Sequence, residues 1–281
     1  MAVAVVTDST AYLPEGFADR RGISVVPLHV TVDDSTGLDG VDITPASLAN
    51  ALSERRAVST SRPSPEDIAA VYRRVLDSGA DSIVSVHLSR ELSGTWDAAR
   101  IAAGEVGGVR VVDSRSTAMG LGFAVLAAVK AARSGASASD VEAAAVRTAA
   151  RTRTFFCLET LEHLRRGGRI GPAAALLGTA LAVRPLLHVQ DGRIVPLEKV
   201  RTTSRAMARL VDLAAEAAGD GPAGLAVHHL CAPQRAAELA SKLDERLTDG
   251  EGCLISEVGA VIGAHTGLGV LGVVVLPGGL S

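Results

Sequence analysis

Residues 82–100 read SIVSVHLSRELSGTWDAAR: an apolar run, Ser82–His87, that passes through Ser93, Gly94 and Thr95 into an alanine-bearing segment. The run is short and rich in Val and Ile, as in a strand buried on both faces of a parallel sheet. The small polar residues that follow mark the start of a helix. A strand that hands over to a helix leaves backbone N–H groups unpaired at the turn, so this is a natural place to hold an anion.

Working outward, the same alternation recurs. Ala2–Thr7, Ser24–Val30 and Val109–Asp113 read as further strands. Between them the clearest helix is Pro65–Ser78, in which Ile68, Val71, Tyr72, Val75 and Leu76 share one face. Ser64 is its N-cap, Pro65 occupies the first helical position and Gly79 ends it. The pattern predicts an α/β domain with a mainly parallel sheet, and two alanine-rich helices, Gly120–Ser134 and Ser137–Arg153, lead out of it.

The expected domains are residues 1–150 and 151–281. In the second, Phe155–Leu158 reads as a strand, followed by a helix through Leu164 and another over Ala173–Leu181. Leu186–Gln190 and Arg193–Lys199 flank Asp191-Gly192, a pair that favours the positive φ angles of a type I′ hairpin turn. Ser204–Ala218 and Gln234–Leu247 read as helices around a strand at Gly224–His229, and two terminal strands complete an α+β pattern. Val258–Leu276 is uncharged and as long as a membrane span, but its glycines favour a buried strand-loop-strand.

Composition narrows the function. The chain has 281 residues, 47% hydrophobic, and a net charge of −3 with no aromatic-basic interleaving, which argues against a nucleic-acid partner. Its 3 cysteines are widely spaced, fitting neither a disulfide framework nor a CxxC metal site. The opening MAVAVVTDST lacks a basic n-region, so no export signal is expected and the setting reads as a reducing cytoplasm.

Polar clusters fall where strands end or turns tighten: Thr7-Asp8-Ser9-Thr10, Ser59–Ser64, Leu92–Thr95, Asp113-Ser114 and Gly263–Gly267. In an open α/β sheet, ligands bind at the carboxyl ends of the strands. Singly, Ser93 or Thr60 reads as a helix cap, and Asp8 and Asp113 as Asx-turn residues. No phosphate loop GxxxxGK[ST], dinucleotide GxGxxG, nucleophile elbow GxSxG or zinc HExxH is present.

In chain order, VVTDSTAYLP, STSRPSP, SRELSGTWDAA, VVDSRSTAMGLG, LETLEHLRRGGRIGPAAALLGTALAVRPLLHVQDGRIVPLEKVRT and IGAHTGLGVLGVVV resemble the DegV family. Its members bind fatty acids in bacteria, some of them as the lipid-carrying subunit of a fatty acid kinase. The resemblance implies an amino-terminal α/β domain and a carboxy-terminal α/β sandwich with one acyl chain buried between them. It places the fatty-acid carboxylate at Thr60 and Ser93, with His265 in the same hydrogen-bond network and Ser61, Gly94 and Thr95 shaping the turns. It also implies that Arg169 and Arg201 dock the kinase; the missing metal motifs and the glycine-rich Val258–Leu276 lead us to expect no metal, no cofactor besides the lipid and no stable membrane insertion. Arg62 stands where the family commonly has Gln, and Leu268 where GPG is usual.

The chemistry of such a site is coherent. Burying about 14 methylenes gains on the order of 10 kcal/mol before binding costs. With only 2% aromatic residues, a pocket here would have aliphatic walls suited to a flexible chain. Hydroxyl donors anchor a carboxylate and leave its oxygens free to attack a phosphoryl donor. The expectation is therefore a cytoplasmic carrier with no catalytic centre of its own. The same residues admit two other readings: an acyl ester hydrolase built on Ser93 and His265, and a phospho-ligand or nucleotide module on the glycine turns.

Overall fold

The computed structural model describes residues 2–176, 183–247 and 252–280. In chain order its first part runs β1 (Val3–Asp8), α1 (Phe17–Arg21), β2 (Ile23–Val26), β3 (His29–Val32), β4 (Ser35–Leu38), α2 (Pro45–Ser53), β5 (Val58–Ser61), α3 (Pro65–Asp77), β6 (Ser82–His87), α4 (Thr95–Val106) and β7 (Val109–Asp113). Strands β2-β1-β6-β7 form a 4-stranded sheet, and every pairing in it is parallel. All residues of β6 are buried, as its apolar run requires.

Helices cover both faces. Ile68, Ala69 and Tyr72 of α3 and Ala98, Ala99 and Ala102 of α4 pack on Val6, Val26 and Ile83. The opposite face, with Val5, Val84 and Val86, meets α5 (Met119–Arg133) and α6 (Ala138–Arg151). Helix α5 is apolar nearly all round because it is covered on both sides, by this sheet and by Ala226, Val274 and Leu276 of the next one.

The second part continues with β8 (Arg153–Cys157), α7 (Glu162–Arg166), β9 (Arg184–Gln190), β10 (Arg193–Val200), α8 (Thr203–Ala218), β11 (Ala223–His229), α9 (Pro233–Arg246), β12 (Cys253–Glu257), α10 (Ala260–Thr266) and β13 (Leu271–Pro277). They build a mixed 6-stranded sheet in the order β10-β9-β8-β13-β11-β12, parallel only between β11 and β12. Helices α8 and α9 pack on one face through Leu210, Leu213, Leu239 and Leu243. At the β9–β10 turn Asp191 and Gly192 both have positive φ, 51° and 80°, as the Asp-Gly pair predicts.

The structure redraws three stretches. Ser24–Val30 is two strands rather than one: Pro27 offers no N–H to a ladder, and past it the chain joins an antiparallel 3-stranded sheet, β4-β3-β5. STSRPSP, read as a turn, begins on β5, with Thr60 directly opposite the fully buried Val30. Val258–Leu276 is the short helix α10 followed by β13, so His265 rides a helix and not a loop. Gly263 lets that helix approach closely, since a β-carbon there would press on Leu48 and Leu230. Of the helix expected over Ala173–Leu181, residues through 176 form a 3₁₀ turn, Gly171–Leu176, and the remainder lies outside the described residues. Among the described residues, no helix is long and apolar enough to cross a membrane.

Candidate functional site

A cavity opens between the 3-stranded sheet, the turn after β6 and the inner face of the mixed sheet. Its walls are aliphatic: Leu28, Leu88, Leu92, Leu164, Ile194 and Val261 are among them. Thr60, Ser61, Arg62, Ser93, Arg169 and His265 border it, so the residues that the sequence separates most widely converge on one space.

Each polar group is placed by local structure. Opposite residues of an antiparallel pair share a face, so Thr60 points the same way as its buried partner Val30, into the molecule. Ser93 sits on the turn between β6 and α4, where its backbone N–H donates to the Ser89 carbonyl at 3.1 Å. Its hydroxyl shares a 2.9 Å hydrogen bond with the Thr95 hydroxyl and accepts from the Thr95 N–H at 3.3 Å. Ser93 therefore caps α4 from one residue further out than the flanking Gly94, which has no side chain to do it. Thr95 is fully buried.

Thr60 Oγ1 and His265 Nε2 share a hydrogen bond of 2.8 Å. Burial pushes the His265 imidazole down to about 4, and the charges of Arg169 and His163 push the same way, so the ring is neutral at pH 7. Its Nδ1 is buried with no hydrogen-bond partner among the described residues. Gly167 lies against that edge of the ring, and a β-carbon there would collide with it.

The helix that carries His265 is anchored at its start by Asp39. This buried carboxylate accepts the Ala260 N–H at 2.8 Å, the Ser9 hydroxyl at 2.8 Å and the Tyr12 hydroxyl at 2.9 Å. Tyr12 in turn accepts the Ile262 N–H at 3.3 Å. Burial raises the Asp39 carboxyl above its usual range, and raises Tyr12 well above that of a free phenol. Tyr12 falls within the motif VVTDSTAYLP, whereas Asp39 did not stand out in the sequence.

Asp8 closes an Asx-turn, as expected, by accepting the Thr10 N–H at 3.1 Å. It also belongs to a wholly buried array that the sequence did not reveal: Asp8 Oδ2 to His87 Nδ1 at 3.0 Å, His87 Nε2 to Ser85 Oγ at 2.7 Å, and the Tyr72 hydroxyl to Ser85 at 2.9 Å. The order resembles a catalytic triad, but Ser85 is fully buried and bonded on both sides. Its role is to fix the strand ends, since Asp8 also accepts the Leu88 N–H at 2.9 Å. The deep end of the cavity is lined by Thr10, Thr117, Thr154 and His228. His228 Nε2 accepts the Met119 N–H at 3.0 Å while Nδ1 donates to the Ser256 carbonyl at 3.2 Å, and burial holds the ring neutral, near 4.

Arg169 faces inward, its Nε donating to the Leu92 carbonyl at 3.0 Å and one terminal nitrogen to the Gly167 carbonyl at 2.7 Å. Arg201 is exposed on the bend before α8 and does not line the cavity. Outside Thr60, His265 and Arg169 lies an open basin bordered by Arg55, Arg56, His163 and Arg166. Among the described residues, no group of three or more His, Cys, Asp and Glu side chains is placed to hold a metal ion.

Comparison with known proteins agrees with this architecture. The family model described as "Uncharacterised protein, DegV family" matches residues 2–278. The chain belongs to the DegV family. A DegV domain-containing protein of Streptomyces coelicolor is 56% identical over 274 residues, 97% of this chain and 98% of that one. A solved structure described as "Fatty Acid Binding of a DegV family Protein from Thermus thermophilus" superposes with a TM-score of 0.94 at 35% identity, covering 99% of this chain and 100% of that chain. DegV of Bacillus subtilis, described as a fatty acid binding protein, superposes at 0.89 with 32% identity, over 98% of this chain and 99% of that one. The fold of this DegV-family chain is thus the α/β architecture of solved DegV structures, a parallel sheet beside a separate mixed one.

Proposed function

We propose that this chain binds a long-chain fatty acid between its 1–150 and 151–281 parts, holds the carboxylate at Thr60, Ser93 and His265, and presents it to a partner kinase in the cytoplasm. The acyl phosphate then leaves with the carrier, which contributes no catalytic centre of its own. The observation that carries the reading is the Thr60–His265 pair at the border of an aliphatic cavity, in a fold shared with relatives described as fatty acid binding.

The proton inventory fits an anionic headgroup. A carboxylate only accepts, so the Thr60 hydroxyl must donate to it. Thr60 then accepts from His265, which fixes the imidazole as the Nε2–H tautomer. The neutral ring adds no charge of its own, consistent with its depressed pKa. Ser93, bonded to Thr95, supplies the second hydroxyl, and Ser61, Gly94 and Thr95 support the turns. Arg201, exposed, and Arg169, at the border of the cavity, are the cations we assign to kinase docking.

The hydrolase alternative requires a base on Ser93. Among the described residues no hydrogen bond joins Ser93 to His265, whose Nε2 is engaged with Thr60 and whose Nδ1 has no acid behind it. The test is equilibrium binding of radiolabelled palmitate to Thr60→Val and Ser93→Ala. Each is expected to weaken binding by about 10-fold or more, the loss of a hydrogen bond to a charged group. Unchanged affinity in both would remove the headgroup assignment.

A further inference from the structure

One cation at the mouth of the cavity has no task in the scheme above. Arg62 follows β5 and borders the cavity beside Ser61 and Ser93. Its side chain folds across Gly94, because a β-carbon on that glycine would press on the guanidinium. Gly94 has φ −74°, which any residue can adopt, so what the glycine supplies is room for Arg62.

Three neighbouring arginines are occupied. Arg56 pairs with Asp33 at 2.7 Å and Arg166 with Glu162 at 2.9 Å, while Arg169 donates to two backbone carbonyls. Arg62 has no ion pair and no hydrogen bond among the described residues. The other polar groups there are the hydroxyls of Thr60, Ser61 and Ser93, a neutral imidazole and Arg169. Arg169 also borders the cavity, but its Nε and one terminal nitrogen are committed to backbone carbonyls, whereas the Arg62 guanidinium keeps its whole planar fork of charged donors, the arrangement that matches carboxylate and phosphate oxygens in pairs.

We infer that Arg62 is a specificity-determining residue: lying over Gly94, it pairs with the anionic headgroup of the bound acyl chain and makes the cavity select long-chain carboxylates and phosphates over neutral lipids of equal length. The inference rests on the lipid-binding reading given above and adds to it a charge contact that hydroxyl anchoring alone lacks; Arg62 is exposed, and its guanidinium must swing off the carboxylate before those oxygens attack a phosphoryl donor. A phosphate monoester carries more charge and more acceptor oxygens than a carboxylate, so the same contact is stronger for it.

Binding of palmitate, hexadecyl phosphate and 1-hexadecanol to the full chain tests this. In Arg62→Gln, palmitate affinity is expected to fall about 10-fold, as for one charge-assisted hydrogen bond, and hexadecyl phosphate further. Hexadecanol, with the same tail and no charge, should change by less than about 2-fold, and the salt dependence of palmitate binding should flatten. Gly94→Ala should reproduce the palmitate loss by displacing the guanidinium, yet add little in the Arg62→Gln background, a non-additivity expected only if both act through one contact. If palmitate binds the Gln variant as tightly as the parent, or hexadecanol loses as much as palmitate, the assignment of Arg62 is overturned while the carrier stands. If the parent protein binds none of the three, the lipid-binding reading itself fails.

Discussion

Thr60 and His265 are 205 positions apart and yet share a 2.8 Å hydrogen bond, so the site depends on side chains being held from both ends of the chain. Gly167 is the least conspicuous of the residues that hold it. Its φ of −75° is ordinary helical backbone, so Gly167→Ala introduces no backbone strain, only a methyl group aimed at the imidazole. We expect that variant to keep its fold and to lose palmitate affinity, which circular dichroism and equilibrium binding would separate. Equal affinity would mean that the ring position is not what sets binding.

At the level of elements, α10 has only 7 residues and cannot be stable by itself, so Asp39 and Tyr12 supply its anchorage. Asp39→Ala strands three donors at once in a buried place. With each hydrogen bond to a charged group contributing roughly 1.5–3 kcal/mol, the variant should lose about 3 kcal/mol or more in urea unfolding. A loss below about 1 kcal/mol would show that α10 is held by packing alone. Gly263→Ala should also destabilise, by about 1–3 kcal/mol, as its methyl group overpacks Leu48 and Leu230.

The same elements explain what could be read in the sequence. The parallel sheet was legible because β6 and β7 are short apolar runs and α3 has a strongly one-sided face with a capping box at Ser64 and Asp67. The small antiparallel sheet was not: β4 and β5 are built from Ser, Thr, Gly, Val and Leu without a buried stripe, and β5 joins through Val58 a core shared with α10 and the mixed sheet. Hydroxyls and the histidine were visible as motif residues; Tyr12 and Gly167 also fall inside family motifs, VVTDSTAYLP and LRRGGRIG, and Asp39 outside them, but none of the three shows locally what it does. Their importance lies in what approaches them from far along the chain.

For the whole molecule, two buried neutral histidines couple stability to acidity. His228 and His265 are both pushed down from 6.5 to about 4, chiefly by burial. Below pH 6.5 the unfolded chain takes up protons that the folded one refuses, so stability present above that value is lost as pH falls towards 4. Each histidine contributes a slope of about 1.4 kcal/mol per pH unit in that window. Asp39 opposes them, since a carboxyl raised by burial binds its proton in the folded state first and adds stability as pH falls. Urea midpoints should drop between pH 6.5 and 4, and His228→Asn should blunt the drop; a flat profile would mean that these rings are not buried neutral.

The central claim concerns what fills the cavity between the sheets. Mass spectrometry of an organic extract of the gently purified full-length protein addresses it most directly. The account predicts a long-chain fatty acid at about one equivalent per chain, reduced in Thr60→Val and Ser93→Ala. A parent protein that repeatedly yields no fatty acid, and takes none up when palmitate is added, would contradict it.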